Sequence, residues 1–207
     1  MRDQSSILHK EFKVQLDSSG TPTNVHSWAS YVKDMPDNLG YGYLWNNHNV
    51  TNLQIQQATQ RISDQFLQQW FSDIRSSPKL SLLCSVKTSF TFEKYLCIIQ
   101  NDSHRKALSR IRCSAHNLNV EEGRYRNINR ENRICEQCNM NAVETEYHFI
   151  LVCPKYHNLR QSTLPKYFQS LPTQNKFKVL MASESSKTLK QLAKFIHLAN
   201  NIRTNRD

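Results

Sequence analysis

The chain has 207 residues, of which 38% are hydrophobic and 21% are charged, so it can bury a sizeable core and lacks the composition of a disordered protein. Four glycines and six prolines are few for this length, which disfavours a turn-rich all-β protein and predicts a mainly α protein. The net charge of +10 is concentrated in the second half of the chain, around an acidic segment at 134–153, and favours a polyanionic partner such as nucleic acid.

No apolar run of the sequence is long enough to cross a bilayer, and the first residues lack the apolar stretch of a secretory signal. These features predict an intracellular protein, in the nucleus or the cytoplasm, without membrane attachment. In a reducing compartment, clustered cysteines serve metal binding or catalysis more often than disulfides.

The first predicted parts are a loosely ordered lead-in at 1–23 and a helical region at 24–116. Within the helical region, a short helix is expected at 24–35, before Pro36. The most regular helix is predicted at 52–76, where apolar residues recur every four positions.

A further helix is predicted at 103–115, with an inner stripe that includes Leu108 and Ile111. Its basic side chains are expected to lie largely outside this stripe. The following segment at 117–133 is polar and contains Gly123 and four arginines, so it is predicted to be a basic loop.

Basic helices are predicted for 161–207, and the clearest of them runs over 184–203. Four apolar residues of this helix share an inward face, whereas three lysines line the opposite side. The inward residues are Leu189, Leu192, Ala193 and Ile196, and the lysines are Lys187, Lys190 and Lys194.

The segment at 134–160 carries the most informative pattern of the sequence: Cys135 and Cys138, then His148 after nine residues, and Cys153 after four more. Two cysteines separated by two residues place both sulfurs on one turn, and a later His/Cys pair completes the tetrahedron typical of structural zinc. Three thiolates and a neutral imidazole around Zn²⁺ give a net charge of about −1. Arg133 and Lys155 are candidates to moderate that charge.

Other interpretations of these residues stay open at this point. His157 replaces His148 in one alternative ligand set, and in another the thiols are incidental and His148 is a packed core residue. An enzymatic alternative pairs Cys153 with His157 as nucleophile and base. The isolated Cys84, Cys97 and Cys113 are expected to be small buried apolar residues.

Several motifs around this segment resemble one family. They are a basic string from His104 to Arg112, a group comprising Ser114, His116, Leu118, Glu121 and Gly123-Arg124-Tyr125, the two-cysteine turn, Glu144-x-Glu146-x-His148-Phe149, and Cys153-Pro154-x-Tyr156-x-x-Leu159-Arg160. Together they resemble the C-terminal region of invertebrate non-LTR retrotransposon polyproteins, which carries the reverse-transcriptase zinc-binding domain. The resemblance spans roughly residues 25 to 200.

The resemblance implies an irregular helical assembly with a small CCHC zinc-binding segment that contacts RNA or target DNA beside a polymerase. Cys135, Cys138, His148 and Cys153 match its ligand positions, although the spacing between Cys138 and His148 is long for the family. His104, Arg105, Arg110, Arg112, Arg124 and Tyr125 match its basic stretch.

The resemblance is to the part of the polyprotein outside its catalytic domains, so the function implied is non-catalytic. No adjacent pair of aspartates is present to hold the two metal ions of a polymerase. A reverse-transcriptase domain of a parent polyprotein is a candidate partner.

Basic side chains of 105–133 can pair with phosphates, and Tyr125 offers a ring for a base to stack on. The predicted nucleic-acid contacts are Arg105, Lys106, Arg110, Arg112, Arg124, Tyr125, Arg126 and Arg130. The alternative is a zinc-braced helical protein–protein interaction domain whose basic face is simply solvated.

Overall fold

The computed structural model describes residues 50–204 continuously, and it also describes residues 10, 14, 31, 34, 35 and 37–43. Most of the predicted lead-in at 1–23 and of the helix at 24–35 therefore lies outside the described residues. The chain divides into two compact units, Met1–Trp70 and Phe71–Asp207.

Helices account for nearly all regular secondary structure in the described residues, which confirms the prediction of a mainly α protein. In chain order they are α1 (Asn52–Ser76), α2 (Ser81–Val86), α3 (Tyr95–Ile98), α4 (Asp102–Arg112), α5 (Asn119–Tyr125), α6 (His157–Thr163), α7 (Lys166–Gln169), α8 (Gln174–Met181) and α9 (Ser186–Thr204). Short 3₁₀ helices occupy Pro78–Leu80, Arg130–Asn132 and Pro154–Tyr156, and a π-helix occupies His148–Val152. None of the helices in 50–204 combines the length and the apolar composition of a membrane span.

Helix α1 has the bounds that its four-residue periodicity predicts, and it continues from the first unit into the second. Ile74, in the last turn of α1, is the buried residue of this helix.

The core of the second unit is built around α4 and α9, which pack extensively against each other. The Asn101 side chain begins α4 by accepting a hydrogen bond from the backbone N–H of His104, at 3.0 Å. Leu108 and Ile111 of α4 are fully buried, as their place in the predicted stripe requires. The predicted inward face of α9 is likewise buried, whereas its three lysines are exposed.

The segment at 117–133 is more ordered than predicted, because it contains α5 and the 3₁₀ helix Arg130–Asn132. The loop prediction is thus wrong for these residues. Gly123, which suggested a loop, lies inside α5 because the side chain of Arg133 crosses the helix there. A Cβ atom on residue 123 would stand 2.6 Å from the Arg133 Cγ atom.

Two isolated cysteines also depart from prediction, because Cys97 and Cys113 are exposed while Cys84 is half-buried. In the short helix α3 the buried positions are taken by Tyr95 and, just beyond its end, Ile99, so Cys97 faces outward. Cys113 follows the last residue of α4 and leaves the packed stripe.

Candidate metal centre

The first two cysteines of the CCHC pattern lie at a turn that an isolated antiparallel bridge between Ile134 and Val143 closes. The Cys135 N–H donates to the Ala142 carbonyl at 2.9 Å, so both arms of the turn are held beside the cysteine. Asn141 takes a left-handed conformation with φ 53°, which asparagine tolerates better than most residues. The turn therefore presents the Cys135 and Cys138 sulfurs on one side.

The other two predicted ligands lie at the ends of a π-helix, His148–Val152: His148 is its first residue and Cys153 directly follows its last. A π turn closes with an i→i+5 hydrogen bond, and here the Cys153 N–H donates to the His148 carbonyl at 2.7 Å. His148 and Cys153 are therefore one turn apart and share a side. The buried Phe149 anchors the turn, because its ring meets the Tyr156 ring edge-on at a centroid distance of 5.0 Å.

The four predicted ligands converge on one point. Their ligand atoms all lie within 4.8 Å of one another, in an arrangement that could hold a metal ion. The Cys135 and Cys153 sulfurs are 4.0 Å apart, and the Cys138 sulfur is 3.4 Å from His148 Nε2. Metal–ligand distances of about 2.3 Å to sulfur and about 2.0 Å to nitrogen give tetrahedron edges of about 3.5 to 3.8 Å. These two separations lie within about 0.2 Å of such edges.

The two most buried sulfurs of the cluster, those of Cys135 and Cys153, share one hydrogen bond. The hydrogen bond between the two sulfurs, together with burial, raises the pKa of Cys135 to about 12. The same bond lowers the pKa of Cys153. A cation must therefore displace protons from this pair in order to bind both sulfurs.

A buried ion pair adjoins the cluster. The Glu144 carboxylate, which is 0% exposed, accepts hydrogen bonds from the Asn119 backbone N–H at 2.7 Å and from Arg203 Nη1 at 2.6 Å. Its Oε1 atom also lies 3.7 Å from the Cys135 sulfur. Burial raises the pKa of Glu144. The last turn of α9 is thus tied through Glu144 to the first metal-ligand candidate.

Two more buried polar side chains border the cluster. Arg160 of α6 donates from Nε to the Ile150 carbonyl and from Nη2 to the Cys153 carbonyl, each at 2.8 Å. The hydroxyl of Tyr156 is buried, and it has no hydrogen-bond partner among the residues that the structure describes. Burial raises its pKa.

Sequence reasoning did not assign roles to Glu144, Arg160 and Arg203. Glu144 and Arg160 belong to the motifs that carry the family resemblance, so those motifs contained the signal for them. Arg203 comes 59 residues after Glu144 in the chain, and no local pattern links the two.

The structure distinguishes between the alternative histidines. His157 is exposed at the start of α6 and is not part of the cluster, whereas His148 is buried within it. The two cations expected to moderate the charge differ in their surroundings. Arg133 donates to the carbonyls of Ile128 and Val120, and Lys155 is exposed.

Arg112 is not available for nucleic-acid contact, which corrects its assignment from sequence. It is buried, donates to the Glu93 carboxylate and the Met181 carbonyl, and lies over the ring of Tyr95. The physical reason is helical spacing: Arg112 follows the buried Leu108 by four residues and shares its face.

The other basic residues of α4 differ in how far they are already engaged. Arg105 donates to the Ile99 carbonyl and to Asp102, each at 2.9 Å. Lys106 pairs with the same Asp102 at 2.7 Å. Arg110 is exposed and makes no ion pair within the described ranges. The half-buried His104 lies with its ring 5.1 Å from that of His197 on α9.

At the end of α5, the ring of Tyr125 is 71% exposed. Lys79 Nζ donates to the Tyr125 hydroxyl at 3.4 Å, and the Arg124 guanidinium lies 5.4 Å from the ring centre while pairing with Glu121. Arg126 is exposed and weakly paired with Glu122 at 3.4 Å.

Arg130 is exposed and lines a cavity of about 160 Å³ that Lys178 also lines. The cavity wall further includes the hydroxyl-bearing Ser81 and Ser85, and Glu146, whose carboxylate already accepts from His116 at 3.1 Å.

Comparison of the chain with protein-family models, curated proteins and solved structures gives no match.

Proposed function

We propose that the second unit is a zinc-stabilised module without catalytic activity of its own, and that it binds RNA or DNA. The observation that carries the proposal is the convergence of three sulfurs and one imidazole nitrogen to within 4.8 Å in a largely buried site. This donor set, with its tetrahedral spacing, is the usual structural zinc set, and calcium or magnesium would prefer oxygen ligands.

The proposed role of the zinc is structural. Four protein ligands fill a tetrahedral coordination sphere, so no open position remains for a water molecule or a substrate. The cluster also joins two chain segments, the turn at Cys135 and the π-helix after His148, that have little regular hydrogen bonding between them. The metal would substitute for the sheet or long helix that these segments lack.

A metal assay of the purified chain tests this role. We expect about one zinc per chain, and loss of binding when Cys135, Cys138 or Cys153 is replaced by Ser or His148 by Ala. His157→Ala is the matched control and should keep full stoichiometry, because His157 is exposed outside the cluster. Loss of zinc from His157→Ala, or no zinc in the original chain, would contradict the proposal.

The nucleic-acid part of the proposal rests on a basic surface, which we define as Lys79, Tyr125, Arg126, Arg130 and Lys178. The exposed Tyr125 ring offers a stacking face, with Lys79 at its hydroxyl. Arg130 and Lys178 line one cavity, and two neighbouring cations suit a phosphate group. Stacking beside phosphate-binding cations is typical of single-stranded nucleic-acid recognition.

The salt dependence of binding to a single-stranded oligonucleotide tests this surface. We expect the logarithm of the affinity to fall linearly with the logarithm of salt concentration, and Arg130→Gln/Lys178→Gln to reduce the slope by about 1.4, or about 0.7 for each lost phosphate contact. Tyr125→Ala should cost about 1 to 3 kcal/mol on single strands.

The matched control is Lys155→Gln/Lys187→Gln, which removes the same charge from exposed lysines outside the basic surface. Its salt-dependence slope should stay close to that of the original chain, unlike the slope of Arg130→Gln/Lys178→Gln. Equal effects of the two double variants would show that binding depends on net charge and not on the basic surface. No binding at 50 mM salt would contradict the nucleic-acid proposal and favour the protein–protein interaction alternative.

The resemblance to non-LTR retrotransposon polyproteins gives this proposal its biological setting. Such a module would act beside a reverse-transcriptase domain, inside the cell, where it would hold RNA or target DNA for the polymerase. This setting depends on the motifs around the CCHC pattern alone.

A further inference from the structure

Arg160 differs from the other strongly buried arginines of the second unit. Arg112 and Arg203, which are similarly buried, each pair with a carboxylate, namely Glu93 and Glu144. Arg160 is only 5% exposed, yet within the part of the chain that the structure describes it makes no ion pair. Its hydrogen bonds go to two backbone carbonyls, one of which belongs to the ligand candidate Cys153.

A buried guanidinium without a counter-charge is costly, because carbonyl dipoles replace only part of the water it loses. Arginine does not escape this cost by losing its proton at neutral pH. Arg160 Nη2 bonds the carbonyl of Cys153 at 2.8 Å, so the guanidinium lies against the metal centre. The negative charge that compensates Arg160 should therefore be found there.

The charges at the centre support this conclusion. A divalent ion with three thiolates and a neutral imidazole carries a net charge of about −1. Glu144 and Arg203 cancel each other. One positive charge is then needed for neutrality, and Arg160 supplies one while bonded to the carbonyl of Cys153.

We propose that Arg160 is the counter-ion of the metal centre and that it thereby specifies a divalent ion held by three thiolates and one imidazole. This inference rests on the proposed zinc site. In a Cys₂His₂ site Arg160 would be an unbalanced buried cation, and in a Cys₄ site one negative charge would remain. Arg160 is thus a positioning and charge-setting residue, not a ligand.

A double-mutant cycle between Arg160 and a ligand tests the inference. Cys138→His makes the zinc site neutral, and Cys138 is the least buried of the four ligands. Zinc affinity is measured by chelator competition in the original chain, Arg160→Met, Cys138→His and the double variant. The visible spectrum of the Co²⁺-loaded protein shows whether tetrahedral coordination is kept.

We expect Arg160→Met to weaken zinc binding about 10- to 100-fold when three thiolates are present. In the Cys138→His background the same replacement should cost less than about threefold, because no negative charge is left uncompensated. An equal cost in both backgrounds would overturn the inference and leave Arg160 as a support for two carbonyls. If the original chain binds no zinc, the proposed function itself fails.

Arg160→Lys keeps the inference testable if Arg160→Met does not fold. Lysine retains the charge but cannot reproduce both hydrogen bonds, so we expect it to keep zinc affinity within about threefold. If Arg160→Lys lost as much zinc affinity as the neutral Arg160→Gln variant, the inference would be overturned. Arg133→Met is the matched control, because Arg133 also donates to two backbone carbonyls, of Ile128 and Val120, neither of which belongs to a ligand residue.

Discussion

Removal of the metal by a strong chelator is expected to destabilise the second unit by several kcal/mol. A ligand that binds only the folded chain adds about 4 kcal/mol to the free energy of unfolding when its free concentration is a thousandfold above Kd. Thermal unfolding followed by circular dichroism should show the loss as a lower Tm. Acidification should have the same effect, because protons compete with the metal for the sulfurs.

Hydrogen exchange locates the effect. The amides of Cys135 and Cys153, whose bonds close the turn and the π-helix, should lose protection first when metal is removed. Zinc should restore protection, and magnesium, which prefers oxygen ligands, should not. For the cysteine replacements of the metal assay, Cys113→Ser is the control, because Cys113 is exposed outside the cluster. An identical Tm with and without chelator would contradict the structural role.

Arg203→Met is expected to cost about 3 to 5 kcal/mol of folding stability, because it leaves the fully buried Glu144 carboxylate without its cation. Adding Glu144→Gln should recover a large part of that loss, since a neutral amide keeps an acceptor for the Asn119 N–H without the buried charge. Urea unfolding of the zinc-saturated variants measures both differences.

Arg110→Met is the control for Arg203→Met, because Arg110 is exposed on α4 and forms no ion pair with any described residue. It should change the free energy of unfolding by no more than about 0.5 kcal/mol. A cost below about 1 kcal/mol for Arg203→Met would show that water or a neighbouring group stabilises the Glu144 carboxylate.

Local patterns were sufficient to predict the main helices and the members of the metal cluster. The periodicity of apolar residues gave α1 its bounds and placed Leu108 and Ile111 in the core, because amphipathic helices bury one face. The spacing of the cysteines and His148 is the one that four ligands around one ion would require. Such requirements act over short stretches of chain and therefore leave a readable pattern.

Interactions between distant segments could not be predicted in the same way. Gly123 suggested a loop because nothing in the local sequence shows that the side chain of Arg133 crosses α5 at this position. The ion pair of Glu144 with Arg203 depends on how α9 packs. Arg112 is a different case, since a strict helical wheel would have placed it beside Leu108.

The π-helix between His148 and Cys153 makes the number of residues there more important than their identity. In an α-helix, positions five apart point about 140° away from each other, so this pair would not face a common centre. Inserting one residue into the turn would re-aim the Cys153 sulfur even if each apolar side chain stayed buried. Deleting one residue would instead leave the two ligands four positions apart, a spacing that an α-helix places on one face. Apolar substitutions within 149–152 that keep the turn packed leave the direction of that sulfur intact, whereas an insertion does not.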